Sequence, residues 1–129
     1  MVDPDIYYEP GRTGPLQQLS VSFARKLRRA IKQFEDHRGV DRSSLTQMYR
    51  AGLSVGANVR EAQFAESARD FVHKLKIAEK ELAEFFYWFG VLLSEPPLLQ
   101  REVFHDAEYD ARQLRKLLRS IVLKMKERV

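Results

Sequence analysis

An apolar rhythm that divides most of the chain into four helical segments constrains the fold more than any other feature. Apolar residues recur at alternating steps of three and four, as in Leu16, Leu19 and Phe23. The rhythm covers residues 16–34, 45–62, 71–92 and 103–125. This spacing places apolar side chains on one face of an α-helix, and no run alternates with the period of two that a half-buried strand shows. Short links favour antiparallel neighbours, so the sequence predicts an all-α, up-down-up-down, antiparallel four-helix bundle.

Length and local composition predict where this bundle begins. A chain of 129 residues fits one domain. Residues 1–15 contain three prolines and two glycines, which predicts an irregular N-terminal arm, and we assign residues 16–129 to the bundle. Ser67 and Asp70 form a capping signal before the third helix, and the pair Pro96-Pro97 ends that helix.

Several classes of protein and site are excluded by composition. The chain has no cysteine, which excludes disulfides, thiolate metal sites and cysteine nucleophiles. The first fifteen residues lack the apolar run of a signal peptide. No segment reaches the roughly 18 uncharged apolar residues that indicate a membrane span. We therefore expect a cytoplasmic protein that does not contact the membrane.

Two short motifs resemble the halves of the di-iron site that some bundles carry, Glu102-Val-Phe-His105 and Asp70-Phe-Val-His73. Asp70 and His73 lie off the apolar face of the third helix. Both motifs begin consecutive antiparallel helices, so a helix length of roughly 40 Å separates them. No nucleophile with its base and no glycine-rich phosphate loop is found. The sequence predicts a protein with no catalytic residue, metal ion or cofactor.

Clusters of cations lie on the predicted outer faces of the first and fourth helices. Residues 16–39 carry six cations against two anions, and the net charge of the chain is +4. The two clusters comprise Arg25, Arg28, Arg29 and Lys32, and Arg112, Arg115, Lys116 and Arg119. First and fourth helices are neighbours in a bundle, so the clusters could merge into one patch that contacts phosphates without reading bases. The alternative is a solvated face whose charge keeps the protein soluble.

The aromatic run from Phe85 to Phe89 is too apolar for a single buried face. Five consecutive residues point all round a helix, so Phe86 and Trp88 project to opposite flanks when Phe85 and Phe89 take the core. Apolar residues also lie on the outer side of the second helix. Burying such faces requires a second subunit. The predicted interface consists of Leu53, Ala57, Phe64, Val72 and Phe86.

The middle of the second helix contains glycines and polar residues. A glycine inside a helix costs about 1 kcal/mol against alanine, so Gly52 and Gly56 indicate either the close approach of a neighbouring helix or room for a ring such as Trp88. A polar stripe is predicted between the second and third helices, at Ser54, Asn58, Glu61, Lys74, Glu81, Glu84 and Trp88. We expect Asn58 to make a structural hydrogen bond; ligand binding is the alternative.

The stretch from Gln47 to Ala62 resembles the signature of a family of small bacterial four-helix-bundle proteins. That signature runs Q-x-x-R-A-x-x-S-I-G-A-N-I-x-E-A, and the family includes proteins encoded by intervening sequences inside 23S rRNA genes. The resemblance covers residues 45–93. It departs at Phe85 and Phe86, where the family more often has a threonine and an aliphatic residue.

This resemblance implies a homopentamer. It also implies similarity to the accessory proteins of diversity-generating retroelements, which are pentameric and basic and work with a reverse transcriptase and RNA. It favours a non-enzymatic oligomer that binds RNA or DNA through the first and fourth helices. An oligomeric protein-interaction scaffold is the alternative. An enzyme using Asn58, Glu61 and Glu81 would lack both a nucleophile and a metal set.

Overall fold

The protein folds into four α-helices, as predicted. The structure, a computed structural model, describes residues 14–34, 39, 41–94, 101–127 and 129. The helices are α1 (Pro15–Phe34), α2 (Arg42–Ala62), α3 (Ala68–Ser94) and α4 (His105–Lys126), and a 3-10 turn, Arg101–Phe104, precedes α4. The described part of the chain contains no strand. Of the predicted arm, residues 1–13 lie outside the described residues, as does the pair Pro96-Pro97.

Local hydrogen bonds determine where α2 and α3 begin. Asp41 caps α2, because its carboxylate accepts from the Ser44 backbone N–H at 3.1 Å and from the Ser44 hydroxyl at 2.6 Å. Ser67 caps α3, because its hydroxyl oxygen accepts from the Asp70 N–H at 3.0 Å. The Asp70 carboxylate in turn accepts from the Glu66 N–H at 3.1 Å. The predicted capping signal before the third helix is confirmed.

An aromatic cluster forms the centre of the core. Phe23, Phe71, Phe85 and Phe104 are fully buried, and the rings of Phe23 and Phe85 meet edge to face with centroids 5.1 Å apart. Burying a phenylalanine side chain stabilises a fold by roughly 1.5–3 kcal/mol. The predicted apolar faces of the four segments supply most of the buried residues.

Each helix packs mainly against two others. α2 and α3 make the most extensive contact, α1 packs on α2 and α4, and α3 packs on α4. The cations of α1 therefore lie on a helix flanked by α2 and α4, and those of α4 lie on a helix flanked by α1 and α3. Among the described residues, none of the helices is long and apolar enough to cross a membrane.

Gly52 allows α1 to approach α2 closely. A Cβ atom at this position would overlap Cδ2 of Leu27 and lie 3.4 Å from ring atoms of both Phe23 and Phe85. Leu27 is fully buried, so its side chain has little room to withdraw. The predicted close approach is confirmed here, and the ring accommodated beside Gly52 is Phe85 rather than Trp88.

Gly56 is in a roomier place than predicted. The nearest atoms to a Cβ added there are the backbone and hydroxyl oxygens of Ser20, both at 3.7 Å. That distance is ordinary van der Waals contact, so an alanine methyl group fits without any movement of α1. α1 therefore approaches α2 at Gly56 as well, but less closely than at Gly52.

Candidate nucleic-acid interface

The predicted cations of α1 lie on its solvent-exposed side. Arg25, Arg28, Arg29 and Lys32 are all exposed. Within the described part of the chain, none of the four pairs with a carboxylate. Arg25 and Arg29 also line a groove that Arg60 of α2 shares. This face presents positive charge that no acidic side chain among the described residues neutralises.

The arginines of the predicted α4 cluster turn towards α3. The guanidinium carbon of Arg115 lies 4.6 Å from the centroid of the Phe86 ring, and that of Arg112 lies 5.6 Å from it. These distances are typical of cation–π contacts. A terminal nitrogen of Arg119 lies 3.8 Å from a carboxylate oxygen of Glu79. Aromatic and acidic side chains of α3 therefore engage these arginines.

A polar contact joins α1 to α4 between the two clusters. Asp110 of α4 is only 4% exposed. Its Oδ2 accepts a hydrogen bond from the Ser22 hydroxyl at 2.7 Å and pairs with Lys26 Nζ at 3.1 Å. Lys116, the fourth member of the α4 cluster, is exposed. The contacts place Arg112, Arg115 and Arg119 on the α3 side of α4, and the single patch that the sequence suggested stays a prediction.

A buried carboxylate positions one of these arginines. Glu108 is 8% exposed, and its Oε2 accepts hydrogen bonds from Arg101 at 2.6 Å and from Arg112 at 2.7 Å. The bond from Arg101, together with that from Arg112, lowers the pKa of the Glu108 carboxyl, although burial acts in the opposite direction. Glu108 thereby holds Arg112 in the orientation in which it reaches the Phe86 ring.

A cleft of about 470 Å³ opens between α3 and α4 beside these arginines. It is lined by Glu79, Leu82, Ala83, Phe86, Arg115 and Arg119. Oε1 of Glu79 is buried and makes no hydrogen bond to any described residue. Lys76 Nζ lies 3.4 Å from this oxygen. The cleft thus combines an apolar surface, two arginines and a carboxylate whose Oε2 lies 3.8 Å from Arg119.

The first half of the predicted polar stripe makes structural contacts. Asn58 Nδ2 donates to the Ser54 carbonyl oxygen of its own helix at 2.8 Å, as expected of a structural residue. Lys74 Nζ lies 4.0 Å from a carboxylate oxygen of Glu61 and so links α3 to α2. These contacts give Asn58, Glu61 and Lys74 structural roles in this part of the stripe.

The second half of the stripe lies at the edge of the core, where its side chains range from half-buried to exposed. Glu81 is half-buried and Glu84 is exposed. Burial, and then the charge of Glu84, raises the pKa of the Glu81 carboxyl. Trp88 packs against the core and meets the Tyr87 ring edge to face, with centroids 5.0 Å apart. The described residues contain no group of three or more histidine, aspartate or glutamate side chains placed to hold a metal.

The predicted interface residues divide into two groups. Leu53 is 39% exposed, Phe64 is 59% exposed, and Ala57 is exposed between them on the outer side of α2. Val72 is only 7% exposed, so its own chain already buries it and its prediction as an interface residue is wrong. Phe86 is half-buried beneath the arginines of α4.

Sequence reasoning missed the acidic residues that organise α4. Asp110 lies three residues after Ala107 and four before Leu114, both of which are fully buried or nearly so. Glu79 likewise precedes the buried Leu82 by three residues. Helical spacing alone therefore places both acids on or beside a buried face. An acid at such a position predicts a partner across the helix interface.

Comparisons with known proteins agree with this description. Residues 15–120 match the model of the family described as 23S rRNA-intervening sequence protein. The chain also resembles the crystal structure of a protein of unknown function from the S23 ribosomal protein family of Bacteroides thetaiotaomicron VPI-5482. The two chains are 34% identical, the match covers 83% of this chain and 97% of that one, and the TM-score is 0.74. No curated protein matches the chain.

Proposed function

Because the chain belongs to the family of 23S rRNA-intervening sequence proteins, we propose that it is a non-enzymatic accessory protein that binds the backbone of RNA or DNA. The basic faces of α1 and α4 are the binding surfaces, and α1 is the principal one. The family name refers to ribosomal RNA, which supports nucleic acid as the class of partner. A cytoplasmic location and a reverse transcriptase or other protein partner belong to the same proposal.

The observation that carries this proposal is the charge of α1. The helix has five cations and no acidic residue in its 20 residues. A face whose charge serves only solubility normally mixes both signs. The four exposed cations of α1 lack partners among the described residues, whereas phosphate groups would supply them. Lysine and arginine on such a face position a protein on the nucleic-acid backbone without reading sequence.

The test is a binding titration against RNA and DNA at increasing salt. At about 50 mM salt we expect binding that weakens steeply as salt rises, because each phosphate contact releases counterions. The variant Arg25→Glu/Arg28→Glu/Arg29→Glu should abolish binding while circular dichroism shows an unchanged helical fold. Wild-type protein that binds neither RNA nor DNA at low salt would overturn the proposal.

A matched control tests whether binding depends on the α1 face or only on the net charge of the protein. Arg50, Arg69 and Lys80 are exposed cations on α2 and α3, so reversing all three to glutamate changes the net charge by the same amount. The control variant should retain most of the affinity. Equal losses in the two variants would mean that net charge alone attracts the nucleic acid.

A second function, an oligomeric protein-interaction scaffold, is favoured by one observation. Leu53, Ala57 and Phe64 expose apolar surface along the outer side of α2, and such surfaces commonly mark protein contacts. We expect a homo-oligomer, and the family implies a pentamer. Light scattering on a sizing column tests this expectation, since a monomer at micromolar concentration would contradict it. An oligomer that binds no nucleic acid at low salt would favour the scaffold.

The proposal includes an antiparallel, up-down-up-down order of the helices. Phe34 at the end of α1 stacks on Phe104, which immediately precedes α4, with ring centroids 5.4 Å apart. Glu61 near the end of α2 pairs with Lys74 near the start of α3. Both contacts support helices that run in opposite directions to their neighbours. In this order α1 and α4 are adjacent, so one bound strand can follow both.

A further inference from the structure

The two basic regions differ in the groups that surround their cations. The exposed cations of α1 have no aromatic ring beside them in the described contacts. In the α3–α4 cleft, Arg115 stacks on Phe86 and lies next to Leu82 and Ala83. Nucleobases are flat, and in single strands they stack on aromatic rings and on arginine guanidinium planes. The cleft therefore offers a surface for a base, whereas the α1 face offers charge alone.

Glu79 adds a hydrogen-bond acceptor to this surface. Its side chain is 17% exposed, Oε2 lies 3.8 Å from Arg119, and Oε1 is buried without a hydrogen bond. Lys76 Nζ lies 3.4 Å from Oε1 but makes no hydrogen bond to it. Because Oε1 is buried, a ligand in the cleft meets Oε2. This carboxylate oxygen can accept from the exocyclic amino group of a base, as acidic side chains do from N4 of cytosine.

A similar arginine–phenylalanine pair elsewhere lacks the other elements of this site. Arg60 lies over the Phe64 ring at 5.4 Å. The shallow depression around this pair is also lined by Glu61, Glu66, Asp70 and Lys74. Its three acids outnumber its two cations, whereas two arginines outnumber the one acid of the α3–α4 cleft. The pair at the end of α2 is therefore less suited to phosphate.

We propose that the α3–α4 cleft binds an unpaired nucleobase carrying an exocyclic amino group, with cytosine as the best-matched base. The base packs on Phe86 and Arg115, its amino group donates to Glu79, and Arg115 and Arg119 contact the adjoining phosphates. The inference rests on the proposed nucleic-acid binding and adds to it a preference for single strands. A paired base cannot enter, because its faces and its Watson–Crick edge are occupied in the duplex.

The probes are fluorescently labelled oligocytidine and oligouridine strands of equal length, together with an RNA duplex. Cytosine and uracil differ at position 4, where cytosine has a donating amino group and uracil an accepting carbonyl oxygen. We expect the full-length wild-type protein to bind oligocytidine about fivefold more tightly than oligouridine, which is the low end for a base contact. Fluorescence anisotropy at low salt measures the affinities.

Two variants identify the groups responsible. Phe86→Leu keeps an apolar side chain against the core and removes the ring, so affinity for both single strands should fall about fivefold or more while duplex affinity is unchanged. Glu79→Gln keeps the shape of the side chain, but its amide can donate as well as accept, so the preference for cytosine should disappear. Tyr109→Leu, which removes an exposed ring of α4 that does not line the cleft, should change none of these affinities.

The outcomes separate this inference from the proposed function. Wild-type protein that binds both oligonucleotides equally, or keeps its preference in Glu79→Gln, would overturn the inference and leave the proposed function standing. A loss of duplex and single-strand affinity together in Phe86→Leu would also overturn it, since that result indicates a general structural defect. Failure of the wild-type protein to bind any of the probes would remove the proposed function and this inference together.

Discussion

The cations of α1 and those of α4 are of the same residue types and lie on adjacent helices, but their surroundings are different. On α1, the cluster of Arg25, Arg28, Arg29 and Lys32 faces solvent and has no acidic partner among the described residues. On α4, Arg112 is held by Glu108, and Arg115 lies over Phe86. Charge that has no partner is available to phosphate, whereas charge that is already engaged contributes to the fold and to the shape of a cleft.

The difference arises from the acids and aromatic rings around each helix. α1 contains no acidic residue, so its cations cannot pair within the helix. The α4 cations lie beside Glu108 on their own helix and beside Glu79 and Phe86 on α3. Sequence clusters of lysine and arginine therefore do not by themselves define a binding surface. The groups that surround them decide which cations are free.

The largest expected effect is the loss of nucleic-acid affinity when the α1 cluster is removed, compared with the loss when the α4 cluster is removed. Replacing the cluster Arg25, Arg28, Arg29 and Lys32 with alanine should lower low-salt affinity for duplex RNA about 100-fold. The slope of log affinity against log salt concentration should become shallower by about three. Stability should hardly change, because these side chains are exposed and unpaired. Salt-titrated binding and urea unfolding of the same preparations measure both quantities.

The matched variant carries alanine at Arg112, Arg115 and Arg119. Its affinity for duplex should fall by no more than about tenfold, but its free energy of unfolding should fall by about 1–2 kcal/mol. The loss arises because Phe86 loses its cation–π partners and Glu108 loses a hydrogen bond. Equal affinity losses with unchanged stability in both variants would show that the two clusters are equivalent.

The fold could be predicted from the sequence because the apolar rhythm is a local signal. Residues such as Phe71 and Phe85 recur at helical spacing, and they are fully buried. The cap formed by Ser67 and Asp70 was also predictable, since it depends on residues three apart in the chain. Such signals need no knowledge of how one helix is turned relative to another.

Side-chain partners across helices could not be predicted in the same way. The contact of Arg115 with Phe86 depends on the rotation of α4 about its own axis, which no local pattern fixes. Val72 was assigned to a partner subunit, but the packing of α3 within the chain buries it. Asp110 was not among the residues predicted to have a role, although its spacing from Leu114 places it at the helix interface.

The second prediction concerns the contact that lies between the two clusters. Asp110→Ala removes the carboxylate that Ser22 and Lys26 share, and we expect a loss of about 2 kcal/mol in the free energy of unfolding. Lys26 is partly exposed, so water limits the cost of leaving it unpaired. The control is Asp106→Ala, because Asp106 is an exposed acid in the same helix, and its loss should be well below 1 kcal/mol. Equal effects in urea unfolding would show that the buried contact contributes nothing specific.

The third prediction tests the packing that supports the α1 face. Gly52→Ala gains helix propensity but forces a methyl group against Leu27, so we expect a net loss of about 1 kcal/mol. Gly56→Ala has room for the methyl group and should gain about 0.5–1 kcal/mol. Urea unfolding of the two variants measures whether the free energy of unfolding falls in Gly52→Ala and rises in Gly56→Ala. If both substitutions stabilised the protein, Leu27 would have to relax more freely than its burial indicates.

The smallest expected effect is the pH dependence of two glutamates with opposite shifts. The folded state lowers the pKa of Glu108, chiefly through Arg101, so its stabilising contribution is complete above the unfolded pKa of about 4.3 and is lost as pH falls through the lower, folded pKa. The folded state raises the pKa of Glu81 through burial, so ionised Glu81 destabilises the protein at neutral pH. This penalty is relieved as pH falls through the raised pKa towards about 4.3.

Glutamine substitutions should therefore have opposite effects on urea unfolding midpoints between neutral and acidic pH. Glu81→Gln should stabilise the protein at pH 7, and its advantage over wild type should shrink as pH falls through the raised pKa and vanish below the unfolded pKa. Glu108→Gln should destabilise the protein at pH 7, and its deficit should shrink only below that pKa. Glu108 holds Arg112 on the cleft side of α4, whereas no described acid pairs with Arg25, Arg28, Arg29 or Lys32 of α1. Acid should therefore weaken the α4 cluster first. Identical pH profiles for wild type and Glu108→Gln would show that the carboxylate does not make this difference between the clusters.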